Sequence, residues 1–332
     1  VEILEPSEEN LRRAGDCLAR GGLVAMPTET VYGLGADAFD ERAVARVFEA
    51  KARPSFDPLI VHVSSVREVD RVADVPSAKA RALMERLWPG PLTLVMPRKA
   101  EIPDIVTSGL DTVAVRLPSH PVARAIIAYS GTAIAAPSAN PFGYLSPTTA
   151  AHVASGLGGR IDLIVDGGPC SVGVESTVLD MTVDPPHILR PGGMPAEAIE
   201  EVIGTIDRSE APEAASVAQA SPGLLKSHYA PRTRLYLFGP RAVGEAKPRG
   251  RAAALLMGPA IPPEEFREAT RGRFELARYL STTGDLVEAA AGLFSALHEL
   301  DLAGFDEIWA ERAPEAGLGP AINDRLHKAS TK

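Results

Sequence analysis

Short apolar runs alternate along most of this chain with amphipathic stretches at helical spacing, an order that predicts strands and helices in turn. Ser7 is a candidate N-cap for a helix through Leu11, Ala14, Cys17 and Leu18, which Gly21-Gly22 ends. Residues 23–26 form an apolar, strand-like run stopped by Pro27, and residues 28–35 predict a turn rich in hydroxyls and glycine. After Asp40, a good N-cap, Ala43, Val44, Val47 and Phe48 share one helical face. That helix closes on Lys51-Ala52-Arg53-Pro54, and residues 59–63 are a second apolar strand carrying His62. Residues 65–74 and 77–88 predict two helices, the second stopped by Pro89-Gly90-Pro91. Strands are predicted over 92–96, 112–117, 132–136, 161–165, 175–179 and 187–190, with helices up to Gly156 and over 195–203.

From 204 to 220 the composition shifts to Ala, Ser, Glu and Pro without apolar period, which predicts a linker. It ends in SPGLLKSHYAP, residues 221–231, too aromatic and patterned for a passive spacer. Beyond it, strands over 235–238, 252–257 and 307–310 and helices over 286–302 and 321–328 make a small α/β unit with no catalytic constellation. The expected organisation is a first domain over 1–205, a linker and lid over 206–231, and a second domain over 232–332.

Composition narrows the function classes. Hydrophobic and charged fractions of 45% and 23% are ordinary for a soluble globular protein. No apolar run approaches the roughly 18 residues of a membrane span, and the opening VEILEPSEENLRR is acidic and amphipathic, which predicts no secretory signal. Two cysteines, Cys17 and Cys170, are too few for a disulfide framework, so free thiols and a cytoplasmic location are expected. The net charge is −9, and the acidic excess lies almost wholly before Arg208. Such a balance weighs against broad nucleic-acid binding, which rests on a basic surface, while leaving room for a local basic cavity.

Candidate chemistry gathers at strand ends, where ligands of α/β sheets bind. Lys51 and Arg53 beside a small-residue turn suit a polyphosphate; they equally complement a helix dipole. Arg116 ends the strand over 112–117, where it either pairs with a protein carboxylate or clamps a substrate carboxylate. Pro137-Ser138-Ala139-Asn140-Pro141 is a stiff polar loop that reads as a plain turn or as part of a site. Arg190 stands at another strand end, before Pro191-Gly192-Gly193. The chain has no Gly-x-Ser-x-Gly elbow, no P-loop triplet, and no His-x-x-x-His or Cys-x-x-Cys among its seven histidines and two cysteines. Arg, Lys, Thr, Ser and Asn at strand ends bind anions and position reactants.

Five blocks in order carry a resemblance: PTETVYGLG (27–35), Lys51-x-Arg53, Pro58-Leu59-Ile60-Val61-His62-Val63 followed by Ser138-Ala139-Asn140, Glu175-Ser176-Thr177-Val178, and Leu189-Arg190-Pro191-Gly192. Together they resemble the threonylcarbamoyl-AMP synthase family, the YrdC-like enzymes, in the long form with a linker and C-terminal domain. The resemblance implies a YrdC-like twisted, open, mixed sheet with helices, plus a small Rossmann-like α/β domain. It implies synthesis of threonylcarbamoyl-AMP and pyrophosphate from L-threonine, bicarbonate and ATP, for the threonylcarbamoyl adenosine modification of tRNA. Thr30, His62, Arg116, the Ala136 backbone and Ser176 would bind threonine. Lys51 and Arg53 would hold phosphates and stabilise charge, and Thr112, Ser138, Asn140, Ser146, Arg190 and Tyr229 would line the nucleotide side. Mg²⁺ would arrive with ATP, and no protein-bound metal or organic cofactor is expected. A downstream threonylcarbamoyl transferase complex is the expected partner, with tRNA contact weak or indirect and no membrane. The chain departs from the family at Asp57, where Asn is common; a carboxylate there repels a triphosphate unless Mg²⁺ or Arg53 intervenes. Two other classes share the fold. One is a double-stranded RNA-binding module, disfavoured by the acidic balance. The other is carbamoyl transfer in another pathway, whose proteins add acylphosphatase, zinc-finger or kinase-like parts.

Overall fold

The computed structural model describes residues 1–54, 56–209 and 229–331. They fall into two compact units, one made of 1–142, 147–171 and 175–209, the other of 143–146, 172–174 and 229–331. The linker motif that the sequence singles out lies largely outside the described residues, since only 229–231 of it are included.

In the first unit the strands are Glu2–Leu4 (β1), Val24–Met26 (β2), Gly33–Asp37 (β3), Ile60–His62 (β4), Leu92–Pro97 (β5), Thr112–Arg116 (β6), Ile134–Ala135 (β7), Leu163–Val165 (β8), Thr177–Asp180 (β9) and His187–Arg190 (β10). They form one mixed sheet in the order β1-β8-β2-β3-β7-β4-β6-β5-β9-β10. Most follow the apolar runs read from sequence; β1, three residues long, does not. Residues 28–35 were expected to be a turn, but Gly33–Asp37 is a strand, antiparallel to β2 on one side and to β7 on the other. Glycine there serves close approach: a Cβ on Gly35 would lie 2.9 Å from Ile134 Cγ2. Residues 65–74, expected to be a helix, hold only a 3₁₀ segment, Val66–Arg71.

Two helices flank the organising stretch. The first, Glu8–Ala19 (α1), is capped by Ser7 Oγ, which accepts from Asn10 N at 3.3 Å. In the second, Glu41–Lys51 (α2), Asp40 Oδ1 accepts from the Arg42 and Ala43 amides at 2.9 and 3.3 Å. Ala52 ends α2 in the left-handed region at φ 52°, a conformation that costs roughly 1–2 kcal/mol without glycine. The stop leaves Lys51, in the last turn, buried rather than in solvent.

The register sorts the sheet's centre into two faces, because directly paired residues point the same way. Val61, Val63, Leu92, Leu94, Met96, Val113 and Val115 belong to the main core with Leu83, Met84 and Trp88. Each such side chain fully buried is worth about 1.5–3 kcal/mol. The opposite face carries a small apolar patch, Ile60, Val95, Ala114 and Val178. Ala114 pairs with Ile60 and with Val95, His62 pairs with Arg116, and Thr93 pairs with Val178, so the polar side chains of interest extend from this second patch.

The second unit is a four-stranded parallel sheet, Arg234–Phe238 (β11), Ala252–Leu256 (β12), Leu276–Tyr279 (β13) and Glu307–Glu311 (β14), in the order β11-β14-β12-β13. Buried throughout, β12 reads as the continuous apolar run a parallel sheet requires. Helix Leu286–Leu302 starts at Asp285, whose carboxylate accepts from Val287 N and Glu288 N. Among the described residues, no helix is long and apolar enough to cross a membrane.

Candidate active site

Arg116 is the centre of one cluster. It is 3% exposed, and each of its three nitrogens donates once: Nε to Gly90 O at 3.3 Å, Nη1 to Thr30 Oγ1 at 2.9 Å, and Nη2 to Glu29 Oε1 at 2.5 Å. A guanidinium has five N–H donors, so one remains on each terminal nitrogen, the number a carboxylate takes in bidentate fashion. Of the two roles read from the sequence, the pairing with a protein carboxylate is therefore present in this structure, and the donors for a clamp are present beside it. Glu29 was not singled out from the sequence. Its other oxygen accepts from Ser119 N at 3.1 Å, in the turn that follows Arg116. Burial pushes the Glu29 carboxyl up, and Arg116 with nearby backbone N–H groups pulls it down further, so it lies below its ordinary range.

Thr30 is held by polarity as well as position. Thr28 Oγ1 donates to Val31 O at 2.6 Å, so it accepts from Thr30 Oγ1 at 2.9 Å, while Thr30 Oγ1 accepts from Arg116. His62 pairs with Arg116 across β4 and β6 and is 3% exposed. Strand β4 is buried on both faces, so the face that carries His62 is covered too. Burial, and then the charge of Arg116, lower the His62 pKa to about 3, so the ring is neutral at pH 7 and donates Nδ1–H to Ile60 O at 3.2 Å. The Ala136 amide donates to Ile60 O at 2.9 Å, which leaves its carbonyl as the group open to a ligand. Ser176 Oγ lies 2.7 Å from Thr93 Oγ1.

A second cluster is cationic. Lys51 is 1% exposed, and Nζ donates to Ser138 O and Asn140 O, both at 2.5 Å. The Phe142 amide donates to Lys51 O at 2.9 Å, so the Ser138–Asn140 loop is stitched to the end of α2. Burial, and then Arg53, push the Lys51 ammonium well down. Arg53 Nη2 is 2.9 Å from Asp57 Oδ2 and 3.0 Å from Pro58 O, and Nε donates to Asp57 O at 3.1 Å. Asp57 thus stands next to the arginine that the sequence argument required. Burial raises its carboxyl, against the pull of Arg53, Lys51 and Arg190.

Arg190 reaches this cluster through a bulge. The register of β10 against β9 shifts between Ile188 and Arg190, which brings Arg190 opposite Val178. Arg190 Nη2 then donates to Ser176 O at 2.9 Å. Gly192 permits the crossing that follows, because a Cβ there would lie 2.3 Å from the Ser176 carbonyl carbon. Thr112 is half-buried at the start of β6, about 13 Å along the strand from Arg116 at ~3.3 Å per residue.

Two expected nucleotide contacts belong to the second unit. Ser146 O accepts from His298 Nε2 at 3.2 Å. Tyr229, at φ 60°, is buried with its ring 5.6 Å from Phe294 and 5.2 Å from the Arg325 guanidinium. Among the described residues no cluster of three or more His, Cys, Asp or Glu is arranged to hold a metal ion.

Comparison with known proteins agrees along the whole chain. Residues 16–192 match the Sua5, YciO and YrdC family model, described as telomere recombination, and residues 194–331 match the model described as threonylcarbamoyl-AMP synthase, C-terminal domain. A threonylcarbamoyl-AMP synthase of Pyrococcus abyssi is 44% identical, covering 99% of this chain and 97% of its own. One of Bacillus subtilis is 42% identical, covering 99% and 95%. The crystal structure of P. abyssi Sua5 complexed with L-threonine is 41% identical, with a TM-score of 0.89 over 99% of this chain and 98% of that one.

Proposed function

Because this chain belongs to the threonylcarbamoyl-AMP synthase family, matched end to end by relatives above 40% identity, we propose that it is the L-threonylcarbamoyladenylate synthase acting in tRNA modification, taking L-threonine, bicarbonate and Mg-ATP. The observation that carries the site assignment is the His62–Arg116 pair on the second sheet face, with Thr30 bonded to Arg116. In this reading threonine lays its carboxylate on the two remaining N–H donors of Arg116. Its hydroxyl donates to neutral His62, whose Nε2 is left as an acceptor, beside Thr30, and the Ala136 carbonyl and Ser176 complete the pocket.

The threonine ammonium gives up a proton to solvent, and the free amine takes up the bicarbonate carbon with loss of water, giving N-carboxy-threonine. A carboxylate oxygen of that carbamate then attacks the α-phosphorus of ATP, the P–O bond to the β-phosphate breaks, and pyrophosphate leaves. The substrate supplies the nucleophile. What the protein supplies is orientation of two reactants and neutralisation of charge that grows on the leaving phosphates. Lys51, Arg53 and Arg190 fit that second task, with Ser138, Asn140 and Thr112 lining the nucleotide and Asp57 acting through Arg53. Ser146 and Tyr229 are the remaining residues that the family resemblance assigns to the nucleotide. Mg²⁺ comes with the triphosphate as part of the substrate. The reaction consumes cytoplasmic metabolites, and its labile product calls for a transferase that passes the threonylcarbamoyl group to tRNA.

The test is direct. Incubated with ATP, threonine and labelled bicarbonate, the protein should release pyrophosphate and form labelled threonylcarbamoyl-AMP only when all three are present. Pyrophosphate release independent of threonine would assign a different carbamoyl transfer, and no release at all would favour a binding module.

A further inference from the structure

A buried group that this mechanism does not use is Glu29. It is 5% exposed, ion-paired to Arg116, and anchored through its second oxygen to the Ser119 amide. Its other ionisable neighbours are uncharged or poorly charged at neutral pH. His62 is neutral, burial pushes the Cys170 thiol up to about 12, and burial lowers the half-buried His120. Among the groups bonded directly to Arg116 the charge is therefore Arg116 against Glu29, which cancels, with Arg190 touching Ser176 from the side of the cationic cluster. A buried, neutral site accepts a neutral ligand; a monoanion entering it leaves one uncompensated buried charge.

We propose that Glu29 is the charge-setting and positioning residue of the threonine site: it fixes the Arg116 guanidinium and cancels its charge, so that the site selects a zwitterionic amino acid over a monoanion of the same shape. This rests on the reading of Arg116 as the threonine carboxylate's partner. Without Glu29, Arg116 would still bind a carboxylate, and would bind it best when that carboxylate brings no ammonium. The selectivity is for an α-ammonium group that makes no direct contact with Glu29 in the argument; it follows from net charge.

The probe is 3-hydroxybutyrate, which keeps threonine's carboxylate and hydroxyl and lacks the ammonium, titrated by calorimetry beside L-threonine into the full chain. The intact protein should prefer threonine by more than about tenfold, as sites do whose buried polar groups a wrong ligand leaves unbalanced. Glu29→Gln should shrink that ratio by about tenfold, with the analogue gaining affinity in absolute terms, and Glu29→Asp should restore most of it. Equal loss of both ligands in Glu29→Gln would reduce Glu29 to a structural support and overturn the proposal. So would an unchanged ratio, or equal affinity of the intact protein for the two ligands, a result that needs no variant. If the intact protein bound no threonine, the functional reading itself would fail, and the charge argument with it.

Discussion

Replacing Arg116 with alanine perturbs more than a ligand contact, because it strands Glu29. Three hydrogen bonds disappear, to Gly90, Thr30 and Glu29, and a buried carboxylate keeps only backbone N–H partners, those of Ser119 and of Glu29 itself. Breaking a buried ion pair from one side costs about 3–5 kcal/mol, a large share of the roughly 5–15 kcal/mol that holds a domain folded. The midpoint of thermal unfolding should fall by about 10 °C at pH 7. The pH dependence carries the sharper test. In the intact protein the Glu29 carboxyl is lowered, so its stabilising contribution is present above the unfolded pKa and lost as pH falls through the folded one. In Arg116→Ala the burial effect loses its main opponent, and the folded pKa rises above the unfolded value. The sign inverts: the variant's deficit is largest near pH 7 and shrinks as pH falls towards 4.5. Adding Glu29→Gln removes the stranded charge and should recover most of the stability at pH 7 without restoring threonine binding. Urea denaturation from pH 4 to 8 on the three proteins measures all of this. A deficit for Arg116→Ala that is the same at pH 5 and pH 7 would refute the argument.

Three further outcomes are expected. Arg53→Ala, made together with Asp57→Asn so that no carboxylate is stranded, should weaken ATP by about 1.5–3 kcal/mol and leave threonine nearly untouched; equal losses of both ligands by calorimetry would undo the division into two clusters. Threonine should bind better than valine by about 1–3 kcal/mol, since valine leaves His62 Nε2 without a hydroxyl partner; equal affinity would rule the pocket out. Burial pushes the Lys51 pKa down and a bound triphosphate raises it, so ATP affinity should fall as pH rises into the range where Lys51 loses its proton, a decline that Lys51→Met flattens. The same alkaline decline in Lys51→Met would show that Lys51 is not the group that titrates with the nucleotide.

Local signals in the sequence reached the frame of the site but not its pairings. Asp40 and the apolar period after it locate α2 and bring Lys51 to its last turn. The runs around His62 and Arg116 give two strands, yet their parallel pairing depends on a sheet order that no neighbouring residues encode. Gly33–Asp37 carries the composition of a turn and becomes a strand because partners on both sides supply its ladder, a tertiary override of a local preference. Glu29 was passed over for a similar reason. Its partner lies 87 residues away, and a lone acidic residue between two threonines has no spacing signal. A search for the carboxylate that a buried Arg116 requires could have found it. The bulge that brings Arg190 opposite Val178 has no signature beyond the Pro191-Gly192 that follows.

How a closed protein can hold four cations in one region follows from what each is bonded to. An unpaired buried charge is costly, so every one of them needs an acceptor. Carbonyls hold a cation without cancelling it, and this is how Lys51 is held by Ser138 and Asn140, and Arg190 by Ser176. A carboxylate cancels the charge as well, and this is how Arg53 is held by Asp57 and Arg116 by Glu29. The two clusters differ accordingly. Around Asp57, with Glu175 also in range of Lys51, the cations still outnumber the carboxylates, which suits a triphosphate whose leaving group gains charge. Around Arg116 the balance is zero, which suits a zwitterion. Each ligand proposed for this site is thus matched to its cluster by net charge before any single contact is considered, and the donors it meets are already fixed in place, so little reorganisation is needed when it arrives.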